Sequence, residues 1–159
     1  MVERSRAFLV LSGGGQVIPG PSGLSSLIKA RAETTDGTFT LLEHRVPPGA
    51  GPPLHVHVRE DEMWFVLEGE LRFKADQEIF RAPAESFVFV ARGTPHCLQN
   101  IGSVPARYLE MFVPSGMERF FEEMATQPPG GFAPEAYRAI AERAFMKVVG
   151  PPLSESDPL

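Results

Sequence analysis

A series of short strand-like runs, each followed by a turn, is the feature that most constrains how this chain can fold. Typical turns are Glu68-Gly69-Glu70 and Arg92-Gly93-Thr94-Pro95. Short strands at such close, regular spacing indicate an antiparallel β-sandwich or barrel, and therefore an all-β fold. The predicted strands are Thr38–Val46, Leu54–Val58, Glu62–Leu67, Glu70–Ala75, Glu78–Ala82, Ser86–Val90, His96–Asn100 and Ala106–Val113.

The composition agrees with a turn-rich β protein and excludes several classes of partner. The chain holds 15 glycines and 16 prolines without a collagen period. Its net charge is −5 and it has no basic stripe, so we expect no nucleic-acid partner. No apolar run approaches the ~18 residues of a membrane span, so we expect no membrane partner. The single cysteine allows no internal disulfide and suits a cytoplasmic location.

The segments on either side of the predicted barrel, residues 36–114, have different patterns. Residues 1–35 are rich in Gly, Pro and Ser and predict an N-terminal arm that packs on the barrel, with a short strand at Leu27–Ala32. Residues 115–159 predict C-terminal helices and a tail. The first helix follows a capping box formed by Ser115 and Glu118, and the apolar residues after it recur at helical spacing.

The second predicted helix follows a break at Gln127–Gly131. It starts at Pro134 and runs to about Phe145. The tail Gly150–Leu159, rich in Pro, Ser and Asp, is expected to be loose. Within the barrel, Phe87-Val88-Phe89-Val90 is apolar at every position, which predicts a strand covered on both faces.

Three of the four histidines have the spacing of a metal site. His55 and His57 are two residues apart, so both imidazoles point to the same face of a strand. Glu62 begins the next predicted strand after a tight turn that brings its carboxylate back to the same face, and His96 begins a later strand. Three imidazoles and one carboxylate suit a divalent Fe, Mn, Ni, Co, Cu or Zn ion, with coordination positions left for a substrate.

The remaining polar residues have less specific readings. His44 lies upstream of the other histidines and is expected at the surface or a sheet edge. Cys97 follows His96 and is expected to be a small packed residue. Arg59, Glu60 and Asp61 predict a solvated charged turn. Two residues of the last strand, Arg107 and Glu110, are alternatives for a group that reaches the cavity beside the ligands.

Two motifs in this chain resemble those of the cupins. The first reads Gly49-AGPPL-His55-Val-His57-VRED-Glu62-MWFVLE-Gly69 and matches every fixed position of the cupin pattern. The second keeps Gly93, His96 and Asn100, but Glu85 and Ala91 replace the expected Gly and Pro. More loosely, the layout resembles single-domain quercetin-dioxygenase-like cupins, through the approach GAGPPLHVH, the loop RGTPH and the closing GPPL.

The resemblance implies a cupin jelly-roll barrel that holds one divalent transition metal ion inside. By residue-for-residue transfer, the metal ligands are His55, His57, Glu62 and His96. Glu62 is also the expected proton acceptor for a substrate hydroxyl. The function implied is that of a metal-dependent dioxygenase acting on a small aromatic or enolic molecule. The alternatives are a non-catalytic metal- or ligand-binding cupin and a metal-dependent isomerase or lyase of small polar substrates.

The expected cavity is apolar, and the chain is expected to pair. Surplus apolar surface on the arm and the C-terminal helices, together with the pairing common among small cupins, predicts a twofold homodimer. We expect Trp64 and Phe73 to be core residues rather than residues that stack on a substrate. The candidate wall residues are Phe39, Leu41, Trp64, Phe73, Phe89, Leu98 and Met111.

Overall fold

The eight strands predicted for the barrel are all present in the computed structural model, which describes residues 7–20, 23–128 and 133–159. Their ends lie close to the predicted ones because the turn residues between them set the limits. In chain order they are β3 Thr40–Val46, β4 Pro53–His57, β5 Asp61–Glu68, β6 Glu70–Ala75, β7 Glu78–Pro83, β8 Phe87–Val90, β9 His96–Asn100 and β10 Ala106–Val113.

Residues before and after the barrel add three strands and four helices within the described ranges. The arm supplies β1 Gln16–Pro19, β2 Ser25–Ala30 and the short α1 Ala32–Thr35. The C-terminal segment supplies α2 Glu118–Met124, α3 Pro134–Arg143, β11 Met146–Pro152 and α4 Leu153–Ser156. The first six residues of the predicted arm, Pro21 and Ser22 in its loop, and residues 129–132 at the predicted helix break lie outside the described residues.

The strands form two antiparallel sheets. One sheet has the order β1-β2-β3-β10-β5-β8 and the other has the order β11-β4-β9-β6-β7. Side chains alternate between buried and half-buried positions along β10, as expected for a strand with one face on the core. The core between the sheets includes Trp64, Val66, Leu71 and Phe73, all almost fully buried. Among the described residues, no helix is both long and apolar enough to cross a membrane.

The C-terminal tail is packed against the barrel, so the expectation of a loose tail is wrong. β11 includes the first three residues of the tail and pairs with β4, placing Pro152 opposite Pro53. Leu153 is fully buried, and the Arg72 guanidinium donates hydrogen bonds to the carbonyls of Leu153 and Asp157. The local composition predicted a loose segment, but the start of this segment forms backbone pairs with the open edge of β4.

The predicted capping box is also wrong. Met117 is the residue that precedes α2, and it makes no side-chain cap. The Glu118 carboxylate instead accepts hydrogen bonds from the Thr40 hydroxyl and from the backbone N–H groups of Gly116 and Ala32. Glu118 is fully buried, so it ties the start of α2 to β3 and to α1.

Strand β8 is covered on one face only, which corrects the expectation of a strand buried on both sides. Val88 and Val90 are buried, whereas Phe87 and Phe89 are 63% and 54% exposed. β8 is the last strand of its sheet, and Phe65 of the neighbouring β5 pairs with Phe87 and is 40% exposed. The outer face of these two strands therefore carries an aromatic surface, made of Phe65, Phe87 and Phe89.

Glu85 retains the backbone shape of the glycine that it replaces in the second motif. Its φ is +68°, in the left-handed region that L residues other than Asn and Asp seldom adopt. Its backbone N–H donates to the Val66 carbonyl over 2.8 Å, which closes the turn before β8. The geometry of this turn is therefore kept, although the residue best suited to it is absent.

Removing the buried side chain of Leu153 tests the packing of the tail. We expect Leu153→Ala to lower the free energy of unfolding by about 2–5 kcal/mol, the cost of a large-to-small change in a core. Chemical denaturation measures it. The control is Leu159→Ala, since Leu159 is 78% exposed and its truncation should stay within about 0.5 kcal/mol. Equal, small effects for both variants would show that the tail does not hold the barrel together.

The aromatic surface gives the predicted homodimer a specific test. An exposed aromatic cluster beside an open strand edge is a common site of self-association. We expect Phe87→Glu and Phe89→Glu to convert a dimer into a monomer, as measured by light scattering after gel filtration. The matched control is Ile79→Glu, at an exposed apolar position of β7 in the other sheet. A monomeric wild-type protein, or dimers in all variants, would contradict the prediction.

Candidate metal centre

Both sheets contribute to a buried cluster of three histidines and one glutamate. His55 and His57 point inward from β4, and His96 lies opposite His55 on the neighbouring β9. Glu62 comes from β5 of the other sheet, so the turn after His57 crosses the barrel and does not fold back within one sheet. One potential ligand atom from each of the four residues lies within 4.8 Å of the others, and all four residues are buried.

A hydrogen bond between Nδ1 and a backbone carbonyl orients two of the three imidazoles. Nδ1 of His55 lies 2.8 Å from the Pro53 carbonyl oxygen, and Nδ1 of His96 lies 2.8 Å from the Thr94 carbonyl oxygen. A carbonyl only accepts, so Nδ1 carries a proton in both rings. Nε2 of the neutral His55 keeps its lone pair, whereas Nε2 of His96 lies 2.7 Å from Glu62 Oε2, a contact that needs a proton between them. The carbonyl contacts fix the tautomer and ring angle that a metal ligand needs.

The cluster fits a single divalent metal ion. Metal–ligand bonds of about 2.0–2.2 Å place two ligand atoms at most about 4.4 Å apart. The four donors need only a small contraction to meet that limit. Glu62 Oε2 already lies 3.0 Å from His57 Nε2 and 2.7 Å from His96 Nε2. This donor set is compatible with Fe, Mn, Ni, Co, Cu and Zn and does not select among them.

Electrostatics favour the metal-binding protonation state at two residues of the cluster, His55 and Glu62. Burial, together with the neighbouring His96 and His57, lowers the pKa of His55 to about 3, so this imidazole is neutral near pH 7. Burial alone would raise the pKa of Glu62. The adjacent His57 and His96 outweigh that effect and hold the pKa well below its ordinary value, so the group is a carboxylate. Burial opposes a charge on His96, but Glu62 raises its pKa overall.

A second set of buried polar residues lies beside the cluster. It includes His44, which was expected at the surface or at a sheet edge. His44 is 3% exposed, so the expected surface or sheet-edge role is wrong. Its Nε2 lies 2.7 Å from Glu110 Oε2, and its Nδ1 lies 2.7 Å from the Ser26 hydroxyl. The Trp64 indole N–H donates to the other Glu110 oxygen over 2.8 Å. Burial raises the pKa of Glu110, and the neighbouring His44 partly offsets this rise.

A pattern in the sequence indicates that His44 points inward, but no pattern indicates that Glu60 is buried. His44 alternates with Leu42 and Val46, both inward-facing positions of β3, and this alternation predicts an inward side chain. Glu60 stands between two charged residues and is nevertheless 2% exposed, so the expectation of a wholly solvated turn is wrong. Asp61, the next residue, does reach solvent and pairs with Arg92 across 2.9 Å.

The two candidates on the last strand have different positions. Glu110 lines the cavity, whereas Arg107 pairs with Glu43 and Glu68 on the outer face of the sheet. Cys97 is buried, as expected for a packed residue. Burial raises the pKa of its thiol to about 11, so the thiol is neutral near pH 7.

The cluster opens onto a cavity of about 820 Å³, called the central cavity below. Of the seven predicted wall residues, Trp64 and Leu98 line it. Phe73 is in the core and Phe89 is on the outer surface, and Phe39, Leu41 and Met111 do not line the cavity either. Most of the remaining wall comes from outside the barrel. The arm contributes Ile18 and Leu24, and the C-terminal elements contribute Met117, Phe120, Phe121, Met124, Tyr137 and Met146.

Two antiparallel sheets that enclose three inward imidazoles and a carboxylate define a jelly-roll barrel with an internal candidate metal site. Residues 42–112 match the family model of the cupin domain. This segment of the chain therefore resembles a cupin domain, and the fold is the cupin jelly roll. The fold is shared with KdgF from Halomonas sp., which superposes with a TM-score of 0.62 at 15% identity, over 70% of this chain and 97% of that one.

Two curated relatives match part of this chain. An uncharacterized protein of Methanocaldococcus jannaschii is 34% identical over 44% of this chain and 56% of its own length, so the chain spans little more than half of that relative. The tetracenomycin polyketide synthase protein TcmJ of Streptomyces glaucescens is 28% identical over 69% of this chain and 72% of its own length.

Replacing one candidate ligand tests the centre directly. We expect His96→Ala to raise the Kd for Co(II) or Mn(II) more than about 100-fold. Loss of a residue that only hydrogen-bonds to a metal ligand already lowers metal affinity by about 10–100-fold, and His96 is itself a candidate ligand. Competition with a chelating indicator measures the Kd. Removing metal with a chelator should also lower the wild-type Tm, since metal at 100 times its Kd adds about 2.7 kcal/mol.

The matched control is His44→Ala, which removes another buried imidazole that lies outside the cluster. This variant should keep metal binding at close to the wild-type affinity. Equal losses of affinity in both variants would mean that the binding seen in the wild type does not depend on the cluster.

Proposed function

We propose that this chain is a metal-dependent dioxygenase that acts on a small aromatic or enolic molecule, of the quercetinase-like type. The observation that carries the proposal is the position of the histidine–glutamate cluster at the wall of a large, mainly apolar cavity. A flat, hydroxylated ring system can bury its apolar faces there and direct one oxygen at the cluster.

The cluster residues hold the cofactor in this proposal. His55, His57, Glu62 and His96 bind one divalent transition metal ion, which supplies Lewis acidity and open coordination positions when bound. Both atoms of O2 enter the substrate, whose own electrons reduce the O2, so no separate reductant is needed. The apolar walls exclude water and so limit side reactions of the activated substrate.

Glu62 is the proposed proton acceptor. Its carboxylate is ionised and lies at the inner end of the central cavity, where a substrate hydroxyl pointing at the cluster would meet it. Deprotonation gives the electron-rich enolate or phenolate that reacts with O2. The neighbouring His44–Glu110 pair faces the same cavity and can accept or donate hydrogen bonds to a second oxygen of the substrate.

The relative TcmJ is consistent with this substrate class. Its name assigns it to a polyketide synthase, and polyketide chains carry carbonyl groups that enolise readily. The match to TcmJ covers 69% of this chain at 28% identity. At that level of similarity, the relative supports the class of substrate and not a particular compound.

A metal-dependent isomerase or lyase at the same centre is the second candidate. One observation favours it: the His44–Glu110 pair gives the cavity an acid–base pair that O2 chemistry does not require. The mainly apolar walls favour a dioxygenase over an enzyme for small polar acids or sugars, which would need more charged groups inside the barrel.

O2 consumption distinguishes these candidates. Metal-free protein would be reloaded separately with Fe(II), Mn(II), Ni(II), Co(II), Cu(II) or Zn(II) and assayed with flavonols, catechols and enolic diketones. We expect uptake with a particular metal and substrate, no uptake in His57→Ala, and no product without O2. Glu78→Gln, an exposed change on β7, is the control that should keep full activity.

The other outcomes favour the alternatives. Product formed equally well without O2 would favour the isomerase or lyase. Thermal stabilisation by a panel compound with no product under any condition would favour a non-catalytic ligand-binding cupin. Full turnover in His57→Ala would reject the assignment of the metal centre itself.

A further inference from the structure

The turn between β4 and β5 buries a carboxylate that the proposed reaction does not use. Glu60 is 2% exposed, although the side chains of Arg59 and Asp61 on either side reach solvent. A buried charge is costly unless it is paired or hydrogen-bonded. The position of Glu60 in this protein therefore needs a physical reason.

The Glu60 carboxylate lies close to the side chains of His57 and Arg59. Glu60 Oε2 lies 3.9 Å from His57 Nδ1, and Glu60 Oε1 lies 3.8 Å from Arg59 Nε. Both separations are too long for a direct hydrogen bond. Within the described part of the chain, His57 Nδ1 and Glu60 Oε2 are both fully buried and have no hydrogen-bond partner.

His57 differs in this respect from the other two histidines of the cluster. Nδ1 of His55 and Nδ1 of His96 each meet a neutral backbone carbonyl at 2.8 Å. Nδ1 of His57 has no carbonyl within hydrogen-bond distance; the carboxylate of Glu60, from the turn of the first motif, lies 3.9 Å away instead. A carboxylate that accepts a ligand's N–H makes the imidazole a stronger donor to a metal than a carbonyl does.

Metal binding changes which nitrogen of His57 needs a partner. In the structure, His57 Nε2 lies 3.0 Å from Glu62 Oε2, a contact that requires a proton between them. A metal ion on Nε2 takes the place of that proton. A neutral His57 ring then carries its proton on Nδ1, which is directed at Glu60. A side-chain adjustment of about 1 Å brings the pair within hydrogen-bond range.

We propose that Glu60 is a positioning residue of the metal centre: its carboxylate accepts the Nδ1–H of His57, fixes this ring and strengthens it as a ligand. This inference rests on the metal site of the proposed function but not on its reaction. Glu60 acts through His57 and touches neither the substrate nor the metal.

Two opposite effects of one substitution follow. Glu60→Gln keeps the size of the side chain but removes the charge. In metal-free protein it removes a buried carboxylate that has no direct hydrogen bond from His57 or Arg59, so the Tm should stay the same or rise. In metal-loaded protein it replaces a charge-assisted hydrogen bond by a weaker one, so affinity should fall. A merely structural role would instead lower the Tm of the metal-free protein.

The experiment titrates Co(II) into the full chain in wild type, Glu60→Gln and Glu60→Asp, with Glu78→Gln as the exposed-glutamate control. Competition with a chelating indicator gives the Kd, and visible absorption reports the ligand field of Co(II). We expect the Kd to rise 10–100-fold in Glu60→Gln with a shifted absorption band. Glu60→Asp keeps the charge at a longer distance and should show a smaller rise. Glu78→Gln should match the wild type.

Each other outcome overturns the inference. A Kd within about twofold of wild type, with an unchanged Co(II) spectrum in both Glu60 variants, rejects it and leaves the proposed function intact. A lower metal-free Tm with unchanged affinity assigns Glu60 a purely structural role. A wild-type protein that binds no Co(II), Mn(II) or Fe(II) rejects the inference and the proposed function together. If Glu60→Gln fails to fold, the Kd of Glu60→Asp decides by the same criterion.

Discussion

The contact between the Glu62 carboxylate and the imidazoles of His57 and His96 is the interaction on which the rest of the structure depends. It joins the two sheets across the core, since Glu62 belongs to β5 while the histidines belong to β4 and β9. A carboxylate in this position would be strongly destabilising alone, but the adjacent imidazoles stabilise it and hold its pKa low. The same mutual arrangement is what a divalent cation requires of its ligands, so the barrel buries these groups in a geometry suited to a metal.

Further polar residues surround this contact in a connected interior. Trp64 and His44 hold Glu110 on one side, and Ser26 holds the other nitrogen of His44. Glu60 lies behind His57 on the opposite side. Because each buried polar group needs a partner in a medium of low dielectric, the position of one limits the position of the next. Both the cluster and the His44–Glu110 pair face the central cavity, whose lining is otherwise mainly apolar.

The strands and the ligand spacing were predictable because both depend on local patterns. Turn residues limited each strand, and the two-residue spacing of His55 and His57 placed both rings on one face. The errors arose where a distant segment decided the outcome. The start of the tail pairs with the open edge of β4 as the end of β11, and the Glu118 carboxylate bonds to Thr40 and Ala32 and does not form a local capping box. The cavity walls were mostly missed because they come from α2, α3 and the arm.

The sequence by itself determined the all-β architecture, the turns, and the four residues able to meet around one metal ion. Alternation along a strand and the conformations of turns are properties of neighbouring residues, so they can be read without the fold. Only the tertiary structure decided which polar side chains are buried and what they face. Glu60 is buried and Asp61 is not, although they are acidic residues next to each other in the chain. Burial depends on which distant elements cover a position, and no local pattern encodes that cover.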